Sequence, residues 1–319
     1  MQYSTFAAID IGSYDVILEI FEISKKQGIR SVDKICHRME LGKDTYTLGK
    51  IRPEMEEELC RVLADFVRIM EGYRVDDYRA TASSAISEAS NSLYVLGKIH
   101  QLTGLSVTVL SNSEQRFLSY KALAAMEDNF NKIIEKGTAI LDLDGGSFQI
   151  SLFDKDALVT TQNIRMGSLR IRERLAGIQS ETEHYEEMVE ELIWNEVSSF
   201  KKMYLKDRKI ENIMLIGDVF TDSVYQNIEE KTTKIISCEN FNTWYEKIIR
   251  QSPMELAVKL GIPLENASLM YPSAVIYKCL IDMMGAEHIW IPGVHMTRGI
   301  AYEYAEQMKL LKGGHNFEN

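Results

Sequence analysis

The stretch "AILDLDGGSFQISLF", Ala139 to Phe153, runs an apolar segment into an acidic Gly-Gly-Ser turn and on into a second apolar segment. Short apolar runs on either side of a turn of Asp, Gly and Ser read as two strands joined by a tight hairpin. "FAAIDIGSYDVILEIF", Phe6 to Phe21, repeats the design: Asp10 closes an apolar run, Gly12 and Ser13 make the turn, and apolar residues resume. Two copies in one chain point to an internal duplication. Consecutive backbone N–H groups in a glycine-containing turn form a concave anion site, and glycine permits the close approach of a phosphate. An Asp at the preceding strand end can hold a hydrated divalent cation against that phosphate, because magnesium takes one or two carboxylates plus phosphate oxygens. Two such turns facing each other would clamp a phosphate chain. Neither turn is a Walker A loop, since the Gly-Lys-Ser/Thr ending is missing, and neither matches the G-x-G-x-x-G dinucleotide fingerprint.

Composition agrees with a soluble globular protein. The 319 residues are 45% hydrophobic and 26% charged, enough to bury a sizeable core in two domains of ordinary size. No apolar run approaches the roughly 20 residues that cross a bilayer, and the start has no signal-peptide pattern. These features argue for the cytoplasm, away from membranes. A formal charge of −11 argues against a nucleic-acid surface, which needs a basic face. Cys36, Cys60, Cys238 and Cys279 lie far apart without metal-type spacing and read as reduced thiols.

The alternation of elements predicts an α/β fold. Apolar residues from Met55 to Val67 and from Tyr185 to Val197 follow helical spacing. Strands are expected at Val16 to Ile23, Leu105 to Leu110, Thr138 to Leu143 and Ile213 to Ile216. Pro272 is expected to start a helix that Gly285 stops, and a last helix is expected from about 298 to 311. The duplication divides the chain into 1–126 and 127–319, with the last helix a candidate to pack back on the first domain.

Six segments, in order, resemble the exopolyphosphatase and guanosine pentaphosphate phosphatase family, within the actin, hexokinase and Hsp70 superfamily. They are "AAIDIGS", "LGKDTYTLGKIRPEMEEELCRVLADF", "ASSAISEASN", "TGLSVTVLSNSEQ", "LDLDGGSFQI" and "RMGSLRIRERL". The resemblance implies two ribonuclease-H-like domains with mixed sheets and an interdomain cleft. It also implies magnesium-dependent hydrolysis of a terminal phosphoanhydride in polyphosphate or guanosine pentaphosphate, and it makes a homodimer a candidate state. By the same resemblance, Gly12, Ser13, Gly145, Gly146, Ser147 and Arg170 bind phosphate, and Asp10 and Asp142 bind the metal.

Departures from the family pattern fall on the chemistry. Asp144 stands in place of a loop glycine and Gln149 in place of a functional Glu. Tyr14 and Asp15 replace an Asn and a Ser, while Ser87 and Thr297 occupy arginine positions. "GDVFT", Gly217 to Thr221, keeps only the ends of a Gly-x-Gly-Gly-Thr turn. An ungapped match puts the catalytic glutamate position on Gln115, whereas a one-residue deletion puts it on Glu114. Glu114 also completes a capping-box pattern with Ser111. A glutamine orients water but cannot take its proton. Two readings follow: a hydrolase with a weakened catalytic set, or a phosphate- or nucleotide-binding regulatory protein on the same scaffold.

Overall fold

A computed structural model describes residues 3–126, 130–176, 185–206, 208–217, 219–227 and 235–310. It divides into two compact units, Met1–Met126 with Val294–Asn319, and Glu127–Gly293. The chain from 294 onward thus returns to the first unit.

The first unit holds strands β1 (Ser4–Ile11), β2 (Asp15–Ser24), β3 (Gly28–Arg38), β4 (Asp77–Ala82) and β5 (Val107–Val109), in the sheet order β3-β2-β1-β4-β5. β1 pairs antiparallel with β2 and parallel with β4, which pairs parallel with β5. The second unit holds β6 (Thr138–Leu143), β7 (Phe148–Asp154), β8 (Ala157–Ile164), β9 (Asn212–Ile216), β10 (Ile235–Ile236) and β11 (His288–Trp290), in the order β10-β11-β9-β6-β7-β8. β6 pairs antiparallel with β7 and parallel with β9, which is parallel to β11. Reading β8-β7-β6-β9-β11 against β3-β2-β1-β4-β5 gives the same topology twice. The duplication read from the two turns therefore extends to five strands of each sheet, with β10 added at the edge of the second, and each unit has the mixed ribonuclease-H-like arrangement.

β1 shows why a central strand of this sheet is a nearly continuous apolar run. Ala7, Ile9 and Ile11 face a core built with the helix Pro53–Tyr73, while Phe6 and Ala8 face Leu118, Ile300 and Tyr304. A sheet covered on both faces has no solvent side that polar residues could occupy. The second cover consists of the helices Asn112–Met126 and Met296–Gln307. These two helices pass so closely that a Cβ on Gly299 would stand 2.1 Å from the Leu118 carbonyl oxygen, and the Phe6 and Tyr304 rings stack at 4.0 Å.

Helices appear at Pro53–Tyr73 and Tyr185–Phe200 as the spacing predicts. β5 is shorter than the run from Leu105 to Leu110. One helix start differs. Pro272 lies inside the helix Leu264–Met284, whose N-cap is Pro263 and whose C-cap is Gly285 at φ 63°. Asn266, Ala267, Leu269 and Met270, all before Pro272, are buried, and that burial carries the helix through a residue that removes one backbone donor. The last helix ends at Gln307, and position 311 lies outside the described residues. Among the described residues no helix is long and apolar enough to cross a membrane.

Candidate functional site

The β6–β7 turn is built from residues 144–147. Leu143 pairs with Phe148, and Asp144 N–H donates to the Ser147 carbonyl at 2.9 Å. The carbonyls of residues 144–146 point to one segment: Ser168 N–H donates to Asp144 O at 3.2 Å, and Arg170 N–H to Gly145 O at 2.9 Å. Arg170 Nε donates to Gly146 O at 2.8 Å. In a trans peptide the next N–H points opposite to the carbonyl, so the amides of Gly145, Gly146 and Ser147 are turned away from that segment as a concave array suited to an anion. The segment fits because residue 167 is glycine: a Cβ there would meet Asp144 O at 2.2 Å and Gly145 C at 2.4 Å.

Asp144 modifies this array. Its Oδ1 accepts from Gly145 N–H at 2.6 Å, so a carboxylate of the chain itself occupies one amide of the nest. Ser147 Oγ accepts from Asn163 Nδ2 at 3.2 Å. Asp142 is the penultimate residue of β6 and the register partner of Gln149 on β7, which puts the two side chains on the same face. Gln149 is buried. Beneath them, Gly217 follows β9 at φ 107°, and a Cβ on it would stand 2.6 Å from Asp142 Oδ1. The second unit thus brings together Asp142, Gly145, Gly146, Ser147, Gln149 and Arg170.

The β1–β2 turn has the same frame. Ile11 pairs with Val16, and Gly12 N–H donates to the Asp15 carbonyl at 2.9 Å. Topology therefore matches Asp10 with Asp142, Gly12 with Asp144, Ser13 with Gly145 and Asp15 with Ser147. The surroundings differ. Ser13 is completely buried, and its Oγ is hydrogen-bonded to Tyr46 Oη at 2.7 Å and to Ser84 Oγ at 3.4 Å. Met39 and Gly42 N–H groups donate to the Tyr14 and Ser13 carbonyls at 3.0 and 2.7 Å.

Asp15 accepts from Arg38 Nη1 at 2.9 Å and from Cys36 Sγ at 3.5 Å. Burial pushes its carboxyl above the ordinary value of 3.8, against the opposing pull of Arg38. The same guanidinium lies 5.7 Å from the centroid of the Tyr14 ring. The extra anion in this loop is thus answered by an arginine from β3. Asp10 is half-buried, and its Oδ1 accepts from Thr81 Oγ1 at 3.5 Å.

Glu114 and Gln115 begin the helix after β5, at the end of the sheet that also carries Asp10, since β1, β4 and β5 are parallel. That is the end where α/β sheets bind ligands. Glu114 Oε2 accepts from Ser111 N–H and Ser111 Oγ, both at 2.7 Å, and Glu114 N–H donates back to Ser111 Oγ at 3.3 Å. The capping box is therefore formed, and the Ser111 donors hold the Glu114 carboxyl below the usual carboxylate range. Gln115 Nε2 donates to Leu110 O at 3.4 Å. Of the two arginine positions, Ser87 is exposed and Thr297 is buried, donating to Glu19 Oε2 at 2.5 Å. Arg172, beside Arg170, pairs with Glu173 at 2.6 Å.

Asp10 and Asp142 suit magnesium as far as donor chemistry goes, since that ion needs few carboxylates and keeps water and phosphate oxygens as its other ligands. Among the described residues no group of three or more His, Cys, Asp or Glu side chains forms a closed metal cage. Sequence reading missed Tyr46, Ser84 and Arg38, whose partners lie 33, 71 and 23 residues away along the chain. No local pattern signals such contacts.

Solved structures share this fold. An exopolyphosphatase from Cytophaga hutchinsonii superposes with a TM-score of 0.85 at 17% identity, over 97% of this chain and 100% of that one. The Aquifex aeolicus member of the Ppx/GppA family does so with a TM-score of 0.76 at 18% identity, over 96% and 99%. Among curated proteins, the bifunctional 3-dehydroquinate synthase/phosphatase of Fusobacterium nucleatum is 21% identical over 310 residues, 89% of this chain and 44% of that protein. Exopolyphosphatase 1 of Mycobacterium leprae is 25% identical over 144 residues, 45% of this chain and 41% of that protein. The chain spans less than half the length of either curated relative. The family profile described as the Ppx/GppA phosphatase family matches residues 19–308, and the chain belongs to that family.

Proposed function

We propose that the protein is a magnesium-dependent phosphoanhydride hydrolase of the exopolyphosphatase type with slow turnover. The observation that carries this reading is the second turn, where Ser168 and Arg170 take the carbonyls of residues 144–146 and so leave the successive amides facing the opposite way, as an anion site requires. Gly145, Gly146 and Ser147 bind phosphate there through backbone N–H groups, and Arg170 fixes the loop that presents them. Asp10 and Asp142 would hold hydrated magnesium, which would supply charge neutralisation for the phosphoryl oxygens. Neutralising that charge and positioning water are the main demands of phosphoryl transfer.

Turnover is slow because glutamines stand where the family has glutamates. Gln149 beside Asp142 orients water without taking its proton, and Gln115 does the same at its position. Loss of a general base costs about 10²- to 10⁴-fold in rate. Glu114 is not the replacement, since its carboxylate caps its own helix.

The test is phosphate release from polyphosphate and from guanosine pentaphosphate, with magnesium and after chelation. Slow release that requires magnesium supports the proposal. One observation favours a second reading: Ser13, Gly145 N–H and Glu114 are all engaged by groups of the chain itself. Magnesium-dependent binding of polyphosphate without release would establish this second reading, a phosphate-binding regulatory protein.

A further inference from the structure

Ser13 Oγ, Tyr46 Oη and Ser84 Oγ form a ring of three hydroxyls with separations of 2.7, 2.8 and 3.4 Å. A hydroxyl carries one proton to donate and lone pairs to accept, so a closed ring lets every member donate once and accept once. The ring is assembled from three separate elements: the β1–β2 turn, the helix Leu41–Leu48 and the helix Ser84–Ser87. Ser13 has no exposed surface. Tyr46 sits on the segment whose Met39 and Gly42 amides already clasp the turn's carbonyls. At the equivalent point of the second unit stands Gly145, which has no side chain to sequester.

We propose that Tyr46 is a latch on the first phosphate loop. It holds the Ser13 hydroxyl in the ring, so that a phosphate chain engages Ser13 only after the Ser13–Tyr46 bond breaks. The latch lowers the phosphate affinity of the first loop relative to a loop with an open serine. Tyr46 is thus a positioning residue, acting through Ser13. The inference rests on the phosphate-loop reading of the preceding section.

The test is calorimetric titration of the full chain with tripolyphosphate and magnesium, using the wild type, Tyr46→Phe, Ser13→Ala and the double variant. Phe keeps the aromatic side chain and removes only the hydroxyl. A net hydrogen bond to a neutral group corresponds to about threefold to tenfold in affinity, so Tyr46→Phe is expected to bind tripolyphosphate tighter by about that factor. The gain is expected to vanish in the double variant, which a merely structural role for Tyr46 would not produce. If the wild type binds and Tyr46→Phe binds no tighter, or the gain survives Ser13→Ala, the latch is wrong while the phosphate-loop reading stands. Binding by none of the four variants would overturn both. Ser84→Ala removes a second bond that holds Tyr46 and gives the same test by a second route: a smaller gain, again abolished by Ser13→Ala, and no gain would contradict the latch.

Discussion

Gly217 lies so close beneath Asp142 that a Cβ added to it would stand 2.6 Å from Asp142 Oδ1 and 2.5 Å from the Leu143 carbonyl oxygen. The backbone of one strand end is therefore fitted against the carboxylate of its neighbour, and φ 107° at Gly217 makes that fit available to glycine alone.

Gly217→Ala is expected to displace Asp142 and abolish phosphate release. It should also lower stability by about 1–3 kcal/mol from backbone strain alone, which for a protein this size is a melting temperature lower by several degrees. Gly261→Ala is the control, since Gly261 also has a positive φ but has no atom within 4 Å of its added Cβ. It should be mildly destabilised and keep its activity. Equal losses of activity in the two variants would remove the special role assigned to Gly217.

Asp144→Gly is expected to tighten magnesium-dependent binding of tripolyphosphate. The change removes a carboxylate that accepts from Gly145 N–H at 2.6 Å and leaves that amide for phosphate. Calorimetry reads the change directly, and weaker binding would show that Asp144 assists the ligand rather than competing with it.

Gln115→Glu combined with Gln149→Glu is expected to raise phosphate release by about 10²- to 10⁴-fold, the usual contribution of a positioned base. Glu114→Ala should leave release near the wild-type rate while lowering the melting temperature, because it breaks the cap that Ser111 and Glu114 form. The Glu114 carboxyl is held below its ordinary pKa by the Ser111 hydroxyl and N–H. Its stabilising contribution is thus present above the unfolded value and lost as pH falls through the folded one. A large loss of release in Glu114→Ala would reinstate it as the base.

Asp15 should have the opposite pH signature. Burial raises its folded pKa, with Arg38, Cys36, His295 and Lys34 each pulling it down. Between its unfolded and folded values the native state binds more protons, so this carboxyl's contribution to stability falls as pH rises through that window. The melting temperature of the wild type relative to Asp15→Asn should therefore fall with rising pH from about 4 upward. A difference that does not change with pH would show that the Asp15 carboxyl titrates alike in both states.

Local spacing carried much of this architecture. Asp10 and Asp142 sit second from the end of their strands, as two apolar runs ending in Asp and a Gly-Ser turn imply. The Ser111–Glu114 cap was legible because its two residues are three apart. Ser13 was read as a phosphate ligand, and the structure adds that its hydroxyl is enclosed by Tyr46 and Ser84, partners 33 and 71 residues distant. Long-range contacts of that kind leave no periodic trace. Pro272 misled for a related reason: a proline at a helix start is a local preference, whereas the burial that carries the helix Leu264–Met284 past it is tertiary.

Hydrolysis is proposed to rest on the β6–β7 turn with Asp142 beside it. The most direct measurement is magnesium-dependent phosphate release from polyphosphate by the purified wild type beside Asp142→Ala. Slow release by the wild type and none by the variant is expected. Equal release from the two, or none from either, would contradict it.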